Sequence, residues 1–279
     1  MSAAAPVIRL GRISYVNMAP VFHRLDAEVE QVLGVPTDLN RRLVAGELDA
    51  APISSIEYAR HAGELLLLPK LCVSSEGAID SIQLVSKTPL ERIRTVAVTA
   101  ESATTVTLLK VLFPDVERVP ADAPAEARLL IGDAALRSAF EDPTPHHDLG
   151  RLWLERTGLP MVFAVWAVPA AVAAARPGDL LDLQERLVAS VRIARAEPEL
   201  LAFESSQRFG YPAGFLARYF EKLRYSFGAR EREGFLEFLR LAVEVGELAA
   251  VPELRFVELP GASTGAAATV LAETTEVPL

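Results

Sequence analysis

Hydrophobic and polar positions alternate along the first 170 residues in a way that predicts strands and helices in turn. Apolar runs of strand length recur in "VIRLGRI", "DAAPIS", "SIQLVSK", "TVAVTA", "ARLLI" and "PMVFAVWAV". Stretches with helical apolar spacing follow most of them, including "MAPVFHRL", "TDLNRRLVAG", "SATTVTLLKVLF" and "DAALRSAF". Thr37 and Ser102 stand at the expected capping positions of two of these helices. This alternation is typical of α/β architecture.

The pattern changes after Pro169, from which point it is helical nearly throughout, with breaks at Pro198, Gly210 to Pro212 and Gly228. A strand-rich first part followed by a helical tail does not fit a simple doubly wound sheet. We therefore expect two lobes, with residues 1–86 and 169–279 in the first and residues 87–168 in the second. The chain would leave the first lobe near Ser86 and return near Trp166. A cleft between two such lobes is a common place for a ligand.

Composition and charge narrow the classes of protein that fit. The chain has 279 residues, of which 51% are hydrophobic and 23% charged, so a sizeable core is possible. The net charge of −9 argues against a nucleic-acid partner, which would require clustered Lys and Arg. Cys72 is the single cysteine, which excludes an internal disulfide. No apolar stretch approaches the roughly 18 residues of a membrane span, and no secretory signal is recognisable, so we expect a cytoplasmic protein.

Small polar residues follow one predicted strand after another. Each has an ordinary alternative as a helix cap or turn residue, and a capping side chain can also contact a ligand. Helix N-termini and hydroxyl groups at strand ends together suit a small anion. The candidate residues of this kind are Ser14, Asn17, Ser54, Ser55, Ser81, Ser86, Ser102, Thr104, Thr105 and Asp133.

Familiar catalytic and cofactor motifs are missing. The chain has neither GxGxxG nor GxxxxGK[ST] for a nucleotide, and no GxSxG nucleophile turn. The adjacent His146 and His147 fit a surface loop better than a metal site. Tyr15, Trp153 and Trp166 fit the core or the lobe interface, although an aromatic side chain at a cleft wall would suit a planar ring.

Four ordered segments resemble the chorismate dehydratase family of the futalosine route to menaquinone. They are "GRISYVNMAPVF", "AGELDAAPISSIEY", "LIGDAAL" and "HDLGRLWLERTGLPMVFAVWA". The resemblance implies the two-lobed fold of type II periplasmic binding proteins. A sister enzyme, which acts on cyclic dehypoxanthinyl futalosine, is a weaker match because it characteristically carries a "SPCPND"-like turn where this chain has "SYVNMAP".

The resemblance further implies dehydration of chorismate to 3-[(1-carboxyvinyl)oxy]benzoate, without a metal or an organic cofactor. By motif position, Asn17 and Ser86 would lie closest to the reacting ring. Ser102, Thr104 and the helix N-terminus would hold a carboxylate, with Thr105 where the family commonly has serine. Further contacts would come from Tyr15, Ser54, Ser55, Ser81 and Asp133.

The sequence does not identify the general base. Asp133 and Asp148 are candidates, but both also fit structural capping. The alternative is that the enolpyruvyl carboxylate of the substrate removes the proton itself.

Two further classes of protein share this architecture. A non-catalytic solute-binding protein for a small carboxylate would need an export signal or lipid anchor, and a ligand-sensing regulator would need a DNA-binding motif. The sequence carries no information on the oligomeric state.

Overall fold

The structure is a computed structural model that describes residues 7–260. Residues 1–6 and 261–279, which belong to the expected first and last segments, lie outside the described part. The strands are β1 Ile8–Ile13, β2 Val29–Gly34, β3 Ala51–Ser54, β4 Leu65–Ser75, β5 Ile82–Ser86, β6 Thr95–Val98, β7 Glu117–Pro120, β8 Ala127–Ile131, β9 His146–Asp148, β10 Met161–Pro169 and β11 Arg224–Ser226.

The helices fall into a dispersed first group and a nearly continuous last group. They are α1 Ala19–Phe22, α2 Pro36–Val44, α3 Ser55–Arg60, α4 Ala103–Leu112, α5 Gly132–Glu141, α6 Leu149–Thr157, α7 Ala170–Ala175, α8 Pro177–Ala196, α9 Pro198–Phe209, α10 Ala213–Lys222 and α11 Ala229–Glu244. Single turns of 3-10 helix occupy Val16–Met18 and Leu90–Arg92.

The first sheet is built around β10, which lies between β3 and β4 in the order β11-β4-β10-β3. Every residue of β10 from Met161 to Val168 is buried, which explains its unbroken apolar sequence. The parallel pair β1-β2 continues this sheet, because the Gly11 amide donates to the Ala50 carbonyl at 2.8 Å beside a Leu10–Ala50 bridge. Helices after β10 pack around this lobe, and α8 contacts both α1 and β4.

The second sheet has five strands in the order β7-β6-β8-β5-β9. Strand β5 pairs antiparallel with β8 and β9, whereas β6 pairs parallel with β7 and β8. The chain therefore passes from the first sheet to the second between β4 and β5, and returns between β9 and β10. These two crossings place the ends of strands from both sheets opposite each other.

The α/β, two-lobed prediction is confirmed, but the expected boundaries need correction. Strand β5, assigned to the first lobe within residues 1–86, belongs to the second sheet. Strand β10, assigned mostly to the second lobe within residues 87–168, is a central strand of the first sheet. Both strands are almost wholly buried, so their apolar sequences fit either sheet equally well.

Most predicted elements are present, and the helix breaks at Pro198, at Gly210 to Pro212 and at Gly228 are confirmed. The Thr37 cap is wrong, because α2 begins at Pro36 with Val35 at its N-cap. Strands β2, β4, β7, β9 and β11 were not predicted. Strand β4 contains Pro69 and Lys70 in its middle, and β2 is largely exposed, so neither has a plain strand pattern.

Candidate functional site

A pocket lies where strand ends of the two sheets face each other. Its cavity volume is about 50 Å³, so its walls lie close together. It brings together six residues that the sequence singled out: Tyr15, Asn17, Ser54, Ser81, Ser102 and Thr105. Its remaining walls are Ile13, Pro36, Val73, Ile79, Ile82, Ile131, Gly132, Phe163 and Ala164. An apolar enclosure with a few convergent polar groups is the usual form of a small-molecule site.

One wall of the pocket is the N-terminus of α4. Ser102 is its N-cap, and the Ser102 hydroxyl accepts a hydrogen bond from the Thr105 amide at 3.3 Å. The hydroxyls of Ser102 and Thr105 lie 2.9 Å apart. No Lys or Arg is among the described residues that line the pocket. A bound anion would therefore depend on the helix N-terminus and hydroxyl groups for its stabilisation.

Asn17 lines this pocket, and its side-chain oxygen is a hydrogen-bond acceptor without a donor in the described part of the chain. Its side-chain oxygen is buried and has no hydrogen-bond partner among the described residues. Its main-chain carbonyl is fixed from behind, because the Tyr225 hydroxyl donates to it at 2.5 Å. Asn17 caps no helix, since the N-cap positions beside it are Tyr15 and Met18. A buried polar atom without a partner in a pocket is suited to bind a ligand donor.

Tyr15 joins the two lobes at the pocket wall. Its hydroxyl donates to Glu101 at 2.6 Å, and a Cβ atom on Gly132 would come within 2.7 Å of its ring. Burial, together with the hydrogen bond to Glu101, raises the pKa of Tyr15 above its usual value. The phenol therefore stays protonated in the neutral pH range.

A strained turn at residues 79–81 positions Ser81 at the pocket wall. Its amide donates to the Ile79 carbonyl at 2.7 Å, and Asp80 between them has φ 60°. Such a turn is rare at a residue other than glycine and requires support from its surroundings. The Asp148 carboxylate supplies that support, because it accepts the amides of Ile79 and Asp80 at 3.0 and 2.7 Å and the Gln83 side chain at 2.9 Å.

Ser54 is oriented by Asn40, which sequence reasoning did not single out. The Asn40 side chain donates to the Ser54 hydroxyl at 3.2 Å and accepts the Ser54 amide at 3.0 Å. Both residues are buried. This reciprocal pair fixes the end of β3 at the pocket.

Asp133 lies behind the pocket rather than on its wall. Its carboxylate accepts the Val16 amide at 3.1 Å, and its carbonyl accepts the Tyr211 hydroxyl at 2.8 Å. Burial raises the pKa of Asp133 against the lowering effect of the Val16 amide. It therefore ties α5 to the 3-10 turn that carries Asn17.

Besides Asp133, three predicted site residues lie outside the pocket. The Ser55 hydroxyl donates to the Val162 carbonyl at 2.7 Å, and the Thr104 hydroxyl accepts the Ile56 amide at 3.3 Å. Ser86 is at the opposite end of β5 from Ser81, where its hydroxyl donates to the Glu126 main-chain carbonyl at 2.8 Å. Ser86 therefore does not line the pocket, whereas Ser81 does. The two serines occupy opposite ends of one buried strand, and the apolar pattern does not say which end meets the cleft.

The described residues contain no group of three or more His, Cys, Asp or Glu side chains arranged to bind a metal ion. Over the same part of the chain, no helix combines the length and the apolar character that crossing a membrane requires.

Comparison of the chain with known proteins shows which family it belongs to. A family model described as menaquinone biosynthesis matches residues 8–244. The chain belongs to that family. The chorismate dehydratase of Thermus thermophilus is 34% identical over 260 residues, covering 82% of this chain and 93% of the relative. The chorismate dehydratase of Campylobacter jejuni is 34% identical over 163 residues, covering 55% of this chain and 64% of the relative.

The family resemblance seen in the sequence is thereby confirmed, and a solved structure supports the fold. The alkanesulfonate-binding protein SsuA of Xanthomonas axonopodis superposes with a TM-score of 0.68 at 16% identity. The superposition covers 91% of this chain and 98% of SsuA. The family member described here thus has a periplasmic-binding-protein-like fold.

We predict that Gly132→Ala destabilises the protein more than Gly158→Ala. Both glycines have positive φ, 55° and 71°, so both variants incur the roughly 1–2 kcal/mol of a left-handed alanine. Only at Gly132 would the new Cβ also meet the Tyr15 ring, at 2.7 Å, since Gly158 has open space. The free energy of unfolding should fall by about 1–3 kcal/mol more for Gly132→Ala. If urea denaturation gave equal losses of unfolding free energy for the two variants, the Tyr15 ring would be able to move away from the new Cβ at no cost.

Proposed function

We propose that the protein is a chorismate dehydratase, a lyase that converts chorismate to 3-[(1-carboxyvinyl)oxy]benzoate in menaquinone biosynthesis. A cytoplasmic location is part of the same proposal. Family membership and the two dehydratase relatives support it. The observation in the structure that carries it is the buried, unpartnered amide oxygen of Asn17, in a pocket with a helix N-terminus.

The reaction removes one molecule of water from the substrate ring. A proton leaves the carbon that bears the enolpyruvyl ether, and its electron pair completes the aromatic ring as the neighbouring hydroxyl departs. The proton and the hydroxide together make the water. Because aromatisation favours the product, the protein has mainly to orient the ring and stabilise the departing oxygen.

One carboxylate and the ring hydroxyl of chorismate match the distribution of polar groups in the pocket. The N-terminus of α4, with the Ser102 and Thr105 hydroxyls, holds one carboxylate through fixed partial charges. Asn17 accepts a hydrogen bond from the ring hydroxyl, which satisfies the buried amide oxygen and orients the leaving group. Ser81 donates to the departing oxygen as negative charge develops on it.

The substrate supplies the base in this mechanism. No carboxylate, imidazole or amine is among the described side chains that line the pocket, and the raised pKa of Tyr15 keeps its phenol protonated. The enolpyruvyl carboxylate can fold over the ring and reach the proton on the adjacent carbon. An intramolecular base held in place by the pocket gains the large advantage of proximity.

The direct test is incubation of the purified protein with chorismate alone, followed by chromatography and mass spectrometry. We expect an aromatic product lighter than chorismate by one water. Chorismate that binds but remains intact would instead favour a solute-binding protein. If chorismate neither binds nor reacts, the proposal fails and cyclic dehypoxanthinyl futalosine becomes the substrate to test.

We predict that Ser81→Ala lowers kcat by about 100-fold, the usual cost of losing one donor to a developing negative charge. Ser86→Ala is the matched control on the same strand, since its hydroxyl contacts Glu126 and Thr88 instead of the pocket. That variant should keep the wild-type kcat while losing about 1–2 kcal/mol of stability. If Ser86→Ala lowered kcat more than Ser81→Ala in a product-formation assay, Ser86 and not Ser81 would be the residue that acts on the substrate.

We predict that Asp133→Asn keeps kcat within about tenfold of wild type, because a lost general base typically costs 100-fold or more. The amide oxygen can still accept the Val16 amide, so the 3-10 turn should stay in place. The measurement is turnover alongside chorismate affinity. Abolished turnover with intact binding would make Asp133 the base and remove the role of the substrate carboxylate.

A further inference from the structure

A second pocket lies among the C-terminal helices, next to the turn that carries Asn17. This helical pocket is enclosed by α8, α9, α10 and β11, and its cavity volume is about 420 Å³. It shares no described lining residue with the candidate site. Its size falls within the range of pockets that bind small molecules. The proposed mechanism makes no use of it.

The floor of the helical pocket is apolar and buried. It is formed by Val191, Ala194, Leu201, Leu223 and Tyr225, which are between 2% and 7% exposed. The half-buried Phe220 adds a second aromatic ring. A flat apolar molecule would find both aliphatic and aromatic contacts on this floor.

Charged side chains are found at the rim of the helical pocket. Arg195, Glu221 and Arg224 line it and are exposed. Arg224 donates to the main-chain carbonyls of Glu221 and Leu223. Within the described part of the chain, neither guanidinium forms an ion pair with a carboxylate. The rim therefore carries two positive charges against one negative charge, and a guanidinium binds a carboxylate through two parallel hydrogen bonds.

Tyr225 connects the helical pocket to the candidate site. Its ring belongs to the floor, while its hydroxyl donates to the Asn17 main-chain carbonyl at 2.5 Å. Pro20 of α1, which follows the turn that carries Asn17, also lines the helical pocket. Strand β11, which carries Tyr225, pairs with β4, and Val73 of β4 lines the candidate site. A ligand on the Tyr225 ring would thus contact the side chain that holds Asn17.

We propose that the helical pocket is a second binding site, which takes a small aromatic carboxylate, and that Tyr225 couples its occupancy to Asn17. The ring of the ligand packs on the apolar floor, and its carboxylate binds Arg195 and Arg224. A ligand that shifts the Tyr225 ring moves the Asn17 turn and so weakens binding at the candidate site. The second site itself is independent of the proposed function, whereas the coupling rests on it, since chorismate is the ligand of the first site.

Isothermal titration calorimetry with 2-naphthoate tests the second site directly. An aromatic carboxylate of this size should bind with a Kd of about 1 mM or tighter. Arg195→Glu should weaken binding by about tenfold or more, because it replaces an attractive charge with a repulsive one. Arg192→Glu is the matched control, since Arg192 is exposed on the same helix but does not line the pocket. That variant has the same change in net charge and should keep the wild-type Kd.

Ala217→Phe is an independent variant that fills the cavity from α10. It should also weaken binding of 2-naphthoate, and a melting temperature close to that of wild type would show that the variant is folded. Lack of binding by the wild type would overturn the inference. The same Kd in wild type, Arg195→Glu and Ala217→Phe would overturn it as well, because 2-naphthoate would then bind elsewhere.

The coupling is measured as the Kd of chorismate with and without saturating 2-naphthoate. In the wild type this Kd should rise by about fivefold or more, a usual size for coupling between two sites. Arg195→Glu at the same 2-naphthoate concentration should show a smaller rise, whereas direct competition at the candidate site would give an equal one. Tyr225→Phe keeps the ring and removes the hydroxyl, so it should bind 2-naphthoate like the wild type without a change in the Kd of chorismate.

An unchanged Kd of chorismate in the wild type would overturn the coupling, as would a rise of the same size in Tyr225→Phe or in Arg195→Glu. If the wild type does not bind chorismate at all, the proposed function and the coupling both fail. Calorimetry with 2-naphthoate alone still decides the second site in that case, so the two failures are distinguishable.

Discussion

The packing of the Tyr15 ring against Gly132 sets the distance between the two lobes at the pocket. A residue with a Cβ at position 132 would come within 2.7 Å of that ring, so the close approach depends on a glycine. Two hydrogen bonds support this packing. The Tyr15 hydroxyl donates to the Glu101 carboxylate, and the Val16 amide donates to the Asp133 carboxylate. Each joins the turn after β1 to the second lobe. Because Asn17 lies in the same turn, the contact that joins the lobes also places the candidate site.

No charged side chain is among the described residues that line the pocket, although the proposed substrate carries two carboxylates. A guanidinium or ammonium group would bind a substrate carboxylate equally strongly before and during the reaction, which strengthens binding without lowering the barrier. The α4 N-terminus and the hydroxyls of Ser102 and Thr105 carry only partial charges, and the fold fixes their directions. Such preorganised dipoles stabilise charge without reorganising during the reaction. In the proposed mechanism, Ser81 stabilises the departing oxygen and Asn17 orients it.

The sequence predicted the α/β class, most of the elements and six polar residues of the pocket, because strand periodicity and helix caps are local properties. It ranked Ser86 above Ser81, although only Ser81 lines the pocket, because that outcome depends on which sheet β5 joins and in which direction it runs. The apolar walls, such as Phe163 and Ile131, have the same sequence signature as core residues. Asn40 and Glu101 act through partners distant in sequence, and that pairing exists only in the folded chain.

The helical segment after Pro169 supports the site from behind. Tyr225 donates to the Asn17 carbonyl, Tyr211 donates to the Asp133 carbonyl, and Lys222 pairs with Asp80 beside Ser81. None of these groups lines the pocket, yet together they reach three of the turns around it, at Asn17, Ser81 and Gly132. A catalyst that relies on orientation needs those turns to be held in place, and the C-terminal segment supplies contacts of that kind.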